Sequence, residues 1–244
     1  MKVAKKILKN VYYKIPFLYE LKNGLANFLG VNNSHRDISD KAFLVFELIK
    51  KTNQPIFPMF GTLLALHRDG QVTRADDMDF AVIGSQSLSK QLVEFLEQQG
   101  AKLVGISAVD NGNTLAELSF EYVGVKVDIF ALFSDKDGIK HVCPNFRKSK
   151  PSCEEVNGLQ YMRFDSHFEV TYPDFNLKEN ESGLLLPDDP TQIFDLHYGK
   201  DWMVPKEKNF IDFAAYRFIK NPSFSVYGSS KDLNTMLNDV YFSE

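Results

Sequence analysis

The sequence predicts an α/β protein, an α+β arrangement in which a mixed sheet is flanked by helices. Three observations lead there. Apolar runs with strand-like character recur at Met78 to Ile83, Ala101 to Ala108, Thr114 to Tyr122 and Val125 to Phe133. Segments with apolar residues at helical spacing, Asp37 to Thr52 and Leu88 to Leu96, alternate with them. Turn residues punctuate the whole: Asp69-Gly70, Asp110-Asn111-Gly112-Asn113 and Gly124.

Taken in order, residues 1 to about 30 combine Lys2, Lys5, Lys6, Lys9, Lys14 and Lys22 with Ile7, Leu8, Val11, Ile15, Phe17 and Leu18, against one acid, Glu20. This reads as a basic amphipathic segment, interrupted at Pro16. It packs on the domain or a partner subunit, or it makes a peripheral membrane contact in which each Lys adds about 1 kcal/mol. Asp37 to Thr52 is a helix with Ser39 or Asp37 as N-cap. Pro55 to Phe60 is a short strand, and Gly61 opens the next turn and a helix-forming segment. Ser85 or Ser87 caps a helix carrying Leu88, Leu92, Phe95 and Leu96, ended by Gly100. Thr114 to Tyr122 and Val125 to Phe133 form a hairpin around Gly124. From His141 to about Ser182 the Pro, Lys, Glu and Asn content suggests loops. Asp189 to His197 suits a helix with Pro190 in its first turn, and Phe210 to Lys220 an amphipathic helix. The division expected is 1–35 as the basic segment, 36–140 as the core, and 141–244 as a loop-rich and helical part completing the same domain.

At 244 residues, 44% hydrophobic and 25% charged, the composition is that of a globular chain long enough to bury a substantial core. A net charge of -4 argues against nucleic acid as partner. No apolar run approaches the roughly 18 residues of a membrane span, and no signal peptide is discernible. Two cysteines, Cys143 and Cys153, do not make a disulfide scaffold, so a cytoplasmic setting is expected.

The chemistry concentrates between Gly61 and Phe80. In the strand Asp77-Met78-Asp79-Phe80, alternation puts Asp77 and Asp79 on one face, their backbones about 7 Å apart, with Met78 and Phe80 on the other. Two such carboxylates converge on divalent cations, and Asp128 in Val127-Asp128-Ile129-Phe130 is the candidate third acid. This is the minimal pattern of metal-dependent phosphoryl transfer. The plain alternative is a set of acids capping a solvated strand end.

Gly61-Thr62-Leu63-Leu64 through Arg68, followed by Asp77-Met78-Asp79-Phe80, resembles the LicD and fukutin family of the nucleotidyltransferase superfamily. Val127-Asp128-Ile129-Phe130 and Tyr198-Gly199-Lys200-Asp201-Trp202-Met203-Val204-Pro205 fit that family's later blocks, so the likeness spans about residues 55 to 205. The chain departs from the family at Ala65, where a Gly is common, and at Thr73-Arg74-Ala75, where Pro-Trp-Asp often stands. The resemblance implies a polymerase-β-like core and transfer of a phosphate-linked group, such as phosphocholine or ribitol phosphate. The donor would be CDP-activated and the acceptor a hydroxyl of a glycan or lipid-linked glycan, handled at the inner membrane face. Asp77 and Asp79 would hold Mg²⁺ or Mn²⁺, and Asp128 would complete that site or accept the hydroxyl proton. Gly61 and Thr62 would approach a phosphate at a helix start, or simply form a strand-to-helix turn with Thr62 as cap. Arg68 would pair with donor phosphate or sit in a surface ion pair. Tyr198 and Trp202 would stack on a base or sugar, or serve as packing anchors.

Two rivals remain open at this level, nucleotidyl transfer from an NTP and a non-catalytic glycan- or partner-binding module. His141, Cys143, Cys153 and His167 lack the order and spacing of a standard zinc site. Walker A, Gly-x-Gly-x-x-Gly, Gly-x-Ser-x-Gly and His-Glu-x-x-His motifs are all missing.

Overall fold

The computed structural model describes residues 36–84, 88–146, 150–206 and 210–242. The basic segment 1–30, Ser85 and Ser87 lie outside the described residues. The architecture is mixed α/β, with a large and mostly antiparallel sheet and few helices.

Strands β1 (Arg36–Asp37) and β3 (Arg74–Ala75) form a small ladder beside helix α1 (Ser39–Lys50). Strand β2 (Phe57–Pro58) leads into helix α2 (Phe60–Asp69), which closes on Gly70 in a left-handed cap. Strand β4 (Asp77–Ile83) is followed by helix α3 (Lys90–Gln98), then β5 (Lys102–Val109), a 3-10 turn at Asp110–Gly112, β6 (Thr114–Tyr122) and β7 (Val125–Asp135). Then come β8 (Gly138–Pro144), β9 (Ser152–Val156), β10 (Leu159–Phe164), β11 (His167–Tyr172), β12 (Leu177–Glu179) and β13 (Leu185–Pro187). Helix α4 (Thr191–Tyr198), a 3-10 turn at Phe213–Ala215, β14 (Arg217–Ile219), β15 (Ser223–Tyr227) and helix α5 (Ser230–Val240) complete the order.

Eleven of these strands form one sheet, along β14-β11-β8-β7-β6-β5-β15-β10-β9, with β4 joined to β7 and β2 to β4. Among the described strands, β4 and β7 make the one parallel pair. Strand β7 changes partner along its length: Val125–Phe130 lies against β6 and Leu132–Asp135 against β8, while Lys126–Leu132 also pairs with β4. Strands after residue 140 thus hydrogen-bond into the same sheet as those before it.

Each sheet face has its own core. Met78, Phe80 and Val82 of β4, with Leu118 and Phe120 of β6 and Val127 and Ile129 of β7, pack under Val45 and Leu48 of α1, Leu92 and Leu96 of α3, and Leu233 and Leu237 of α5. On the opposite face, Ala81, Phe130 and Leu132 meet Phe60 and Leu63 of α2, Phe168 and Val170 of β11, and Ile193, Phe194 and Tyr198 of α4. The period of two in β4 and β7 feeds both layers.

The sequence expectations need correction in four places. Residues 141–182 are not loop-rich, because β8 to β12 lie there. The β9–β10 hairpin disguises itself by exposing Glu154 and Glu155, but Asn157-Gly158, both at positive φ, is the matching tight-turn signal. Phe210 to Lys220 is not helical: Asp212 caps a 3-10 turn, and Arg217–Ile219 pairs with β11, placing Tyr216 and Phe218 around Phe168. Helix α3 is capped by Ser89, whose Oγ accepts from the Leu92 N–H, rather than by Ser85 or Ser87. Helix α1 starts behind Ile38, which occupies the N-cap position without a side-chain bond.

Gly138 closes the β7–β8 turn at φ +132, where a Cβ would stand 2.1 Å from the Tyr172 carbonyl oxygen. Neither that backbone nor a rigid strand can yield cheaply. Gly138→Ala should lose about 3 kcal/mol or more of stability in urea unfolding. A loss within about 0.5 kcal/mol would contradict the packing described.

Candidate active site

The parallel register sets Asp79 opposite Asp128 and Asp77 opposite Lys126. All four therefore project from one face of two neighbouring strands. One carboxylate oxygen from each of Asp77, Asp79 and Asp128 lies within 4.8 Å of the others. Asp128 is 3% exposed, whereas Asp77 and Asp79 are half-buried. Lys126 Nζ stands 3.1 Å from Asp128 Oδ2, and Asp128 Oδ1 is buried with no hydrogen-bond partner.

Helix α2 begins against this cluster. The Asp79 N–H donates to Thr62 Oγ1 at 2.8 Å, and the Met59 N–H donates to the Asp79 carbonyl at 2.9 Å. Thr62 thus ties the helix start to the acidic strand and does not cap α2 from the N-cap position, which is Met59. A Cβ on Gly61 would lie 3.6 Å from Asp79 Oδ2, an ordinary contact distance, so the helix start runs directly beside the carboxylate. The positive end of the helix faces the acids, where it favours negative charge. Phe60, just before, holds a left-handed φ of 45°. It is fixed edge-on to Phe130 at 5.2 Å and stacked on His197 at 4.4 Å. A bulky residue keeps such a backbone only where its surroundings over-determine it.

Burial pushes the Asp79 carboxyl well above its ordinary value, and the charges of Asp77, Asp128 and Glu117 add to the rise while Lys126 opposes it. Tyr198 rises well above the usual phenol range, first through burial and then through Asp79, Tyr216 and Asp77, with Arg68 acting against them. Its hydroxyl therefore stays protonated beside the acids.

Of the residues singled out in the sequence, Asp77, Asp79, Asp128, Gly61, Thr62 and Tyr198 come together. Arg68 lies seven residues along α2 from Gly61, about 10 Å away, and its guanidinium forks onto Asp69 at 3.0 and 2.9 Å. Trp202 packs at 4.9 Å on Phe194 and 5.6 Å on His67, and its Nε1–H donates to Asp195 Oδ1 at 3.1 Å. His141 and Cys143 share the inner face of β8, whereas Cys153 is exposed on β9. His141 sits among Phe60, Phe130 and Phe168, and burial pushes its pKa down to about 3. Among the described residues the acidic trio is the one cluster with metal-holding geometry.

Two neighbours escaped the sequence reading. Lys126 and Glu117 are each two residues from a polar same-face partner, Asp128 and Ser119, and Ser119 Oγ donates to Glu117 Oε1 at 3.2 Å. Same-face spacing along β7 and along β6 was the available signal.

No protein-family model matches the chain, and no curated protein matches it. Among solved structures, the chain is similar to the crystal structure of ANT(2")-Ia in complex with adenylyl-2"-tobramycin, at 19% identity and a TM-score of 0.31. That likeness takes in 48% of this chain and spans 62% of the other's length.

Two measurements probe the geometry. Thr62→Val leaves the Asp79 N–H without its acceptor and should cost about 1–3 kcal/mol, while Thr62→Ser should cost much less. Equal losses in the two variants would assign the effect to packing instead.

The second concerns pH. Since folding raises the Asp79 pKa, the associated stability is complete below the unfolded value near 3.8 and is lost as pH rises through the raised value. In EDTA the melting temperature should fall across that window. Asp79→Asn, neutral throughout, should flatten the fall and melt higher at neutral pH by about 2–4 °C per kcal/mol relieved. A parallel decline in both proteins would remove Asp79 as the source.

Proposed function

We propose that the chain is a divalent-metal-dependent transferase of the LicD and fukutin type with a nucleotidyltransferase-like core. It moves a phosphate-linked group from a CDP-activated donor to a hydroxyl of a surface glycan or its lipid-linked precursor. The observation that carries this reading is the convergence of Asp77, Asp79 and Asp128 within 4.8 Å on paired parallel strands at the start of a helix.

The donor set fits Mg²⁺ or Mn²⁺. Hard cations take carboxylate oxygens, and the buried Asp128 Oδ1 is an acceptor without a hydrogen-bond partner. The upward push on Asp79 from its neighbours expresses the repulsion that a cation relieves. Asp77, Asp79 and Asp128 would be the ligands. A bound divalent cation supplies Lewis-acid neutralisation of charge on the donor diphosphate.

The chain's own residues do the rest. In the reaction the acceptor oxygen bonds to the donor's distal phosphorus, the bridging P–O bond to CMP breaks, and the hydroxyl proton passes to a carboxylate of the site. Gly61 is exposed at the positive helix end, where phosphate oxygens are favoured. Tyr198 keeps its proton and remains neutral beside the acids, a donor rather than a competing anion. His141, neutral at physiological pH, adds no charge.

A thermal-shift panel of CDP, CDP-choline, CDP-ribitol, CDP-glycerol and the four NTPs, each with EDTA, Mg²⁺ or Mn²⁺, tests the reading. Native-state ligands stabilise by about 2.7 kcal/mol at one hundred times their Kd. One CDP-linked compound should raise the melting temperature in a metal-dependent way, and Asp79→Asn and Asp128→Asn should abolish that rise and transfer alike. A response confined to an NTP, with the nucleotide retained on the acceptor, would turn the assignment to nucleotidyl transfer. No metal-dependent response to any compound would overturn the catalytic reading.

A further inference from the structure

The acidic trio has a fourth charged member that the chemistry above leaves idle. Lys126 occupies the position opposite Asp77 and two residues before Asp128, so it shares their face. Its Nζ lies 3.1 Å from Asp128 Oδ2, its side chain 22% exposed against 4% for the carboxylate. One oxygen of Asp128 is thereby occupied, while Oδ1 stays buried without a hydrogen-bond partner. An ammonium also sits among carboxylates whose charges otherwise add: Asp77, Asp79 and Asp128, with Glu117 also acting on Asp79, leave a net negative charge that the one lysine offsets only in part.

We propose that Lys126 is a positioning residue and built-in counter-cation: it holds Asp128 by Oδ2, leaves Oδ1 as the oxygen offered to a cation, and sets how tightly that cation binds. The inference rests on the metal reading of the trio. Its consequences run in opposite directions for the empty and loaded protein. Without a cation, Lys126 is the nearest positive charge offsetting Asp128, so the fold depends on it. With a cation bound, the same ammonium repels it. Even screened as in water, a unit positive charge about 5 Å away weakens divalent binding by a factor on the order of ten. The lysine thus trades affinity for an empty state that folds, and keeps binding reversible. An ion pair serving only to order Asp128 predicts the reverse sign, since its removal would disorder a ligand and weaken binding.

Calorimetric titration with Mn²⁺ alone, on wild type, Lys126→Met and Lys126→Arg, separates the two, with melting temperatures in EDTA beside it. Lys126→Met should melt lower in EDTA yet bind Mn²⁺ on the order of ten times more tightly, and Lys126→Arg should restore wild-type values in both. Should Lys126→Met not fold in EDTA, Lys126→Gln carries the same titration. Unchanged or weaker Mn²⁺ binding in the neutral variant, or an arginine variant that behaves like the methionine one, overturns the inference while the metal reading stands. A wild-type chain that takes no Mn²⁺ removes the metal reading and this inference with it.

Discussion

The structure depends on one register, the parallel pairing of β4 with β7 that sets Asp79 against Asp128. Taken alone that register is unfavourable, because it brings like charges together on one face. It is imposed from the other face. Met78, Phe80 and Val82 of β4 and Val127, Ile129 and Ala131 of β7 are buried under the helices, each side chain larger than alanine contributing about 1.5–3 kcal/mol. A slip of one residue would turn those side chains outward, so the hydrophobic layer holds the acids in place against their repulsion. The cost appears locally, in the raised Asp79 carboxyl and in the lysine placed beside Asp128.

The same strand organises the start of α2. Both backbone groups of Asp79 are engaged there, the N–H by Thr62 and the carbonyl by Met59, so strand and helix meet as one rigid corner. The corner also needs Phe60 in its left-handed conformation, and that need explains the aromatic layer beneath it. Phe130 and His197 clamp the ring, and His197 Nδ1 is in turn hydrogen-bonded to the Tyr216 hydroxyl. Tyr216 stands just after the 3-10 turn and just before β14, far along the chain from Gly61. The C-terminal segment therefore supports the helix start that faces the carboxylates.

How much was legible in the sequence follows from which signals are local. Alternation in Asp77-Met78-Asp79-Phe80 and Lys126-Val127-Asp128-Ile129 needs no tertiary knowledge, so the acids and their shared face could be read directly. The parallel pairing could not, since nothing in either strand names its partner. Between residues 141 and 172 strand β9 was hidden because it exposes every residue, and exposed strands resemble loops in composition. Phe210 to Lys220 has helix-like spacing, yet its aromatic side chains settle around Phe168, and edge pairing with β11 outweighs the weak helical preference. Lys126 and Glu117 were overlooked for a related reason: each shares a face with a polar residue of its own strand, but that this face is buried against the acidic cluster is known only once β4, β6 and β7 are paired.

The division of labour between the two ends of the site follows from how each is built. Asp77, Asp79 and Asp128 stand on strands paired on both sides or packed against a helix start, so their mutual spacing tolerates little adjustment. Tyr198 stands on the last turn of the eight-residue α4, directly before Gly199 at positive φ. The segment beyond it is exposed at Met203 and Val204 and anchored mainly through Trp202. The helix itself is core, with Phe194 and Tyr198 buried, but the exposed segment after it can change side chains at small cost to stability, whereas a doubly paired strand cannot. If the proposed function holds, selectivity for one donor or acceptor belongs to the exposed segment after α4, and the metal-dependent chemistry to the strand side. Substitutions near Tyr198 that alter which compound stabilises the protein, while leaving Mn²⁺ affinity untouched, would be the signature of that separation.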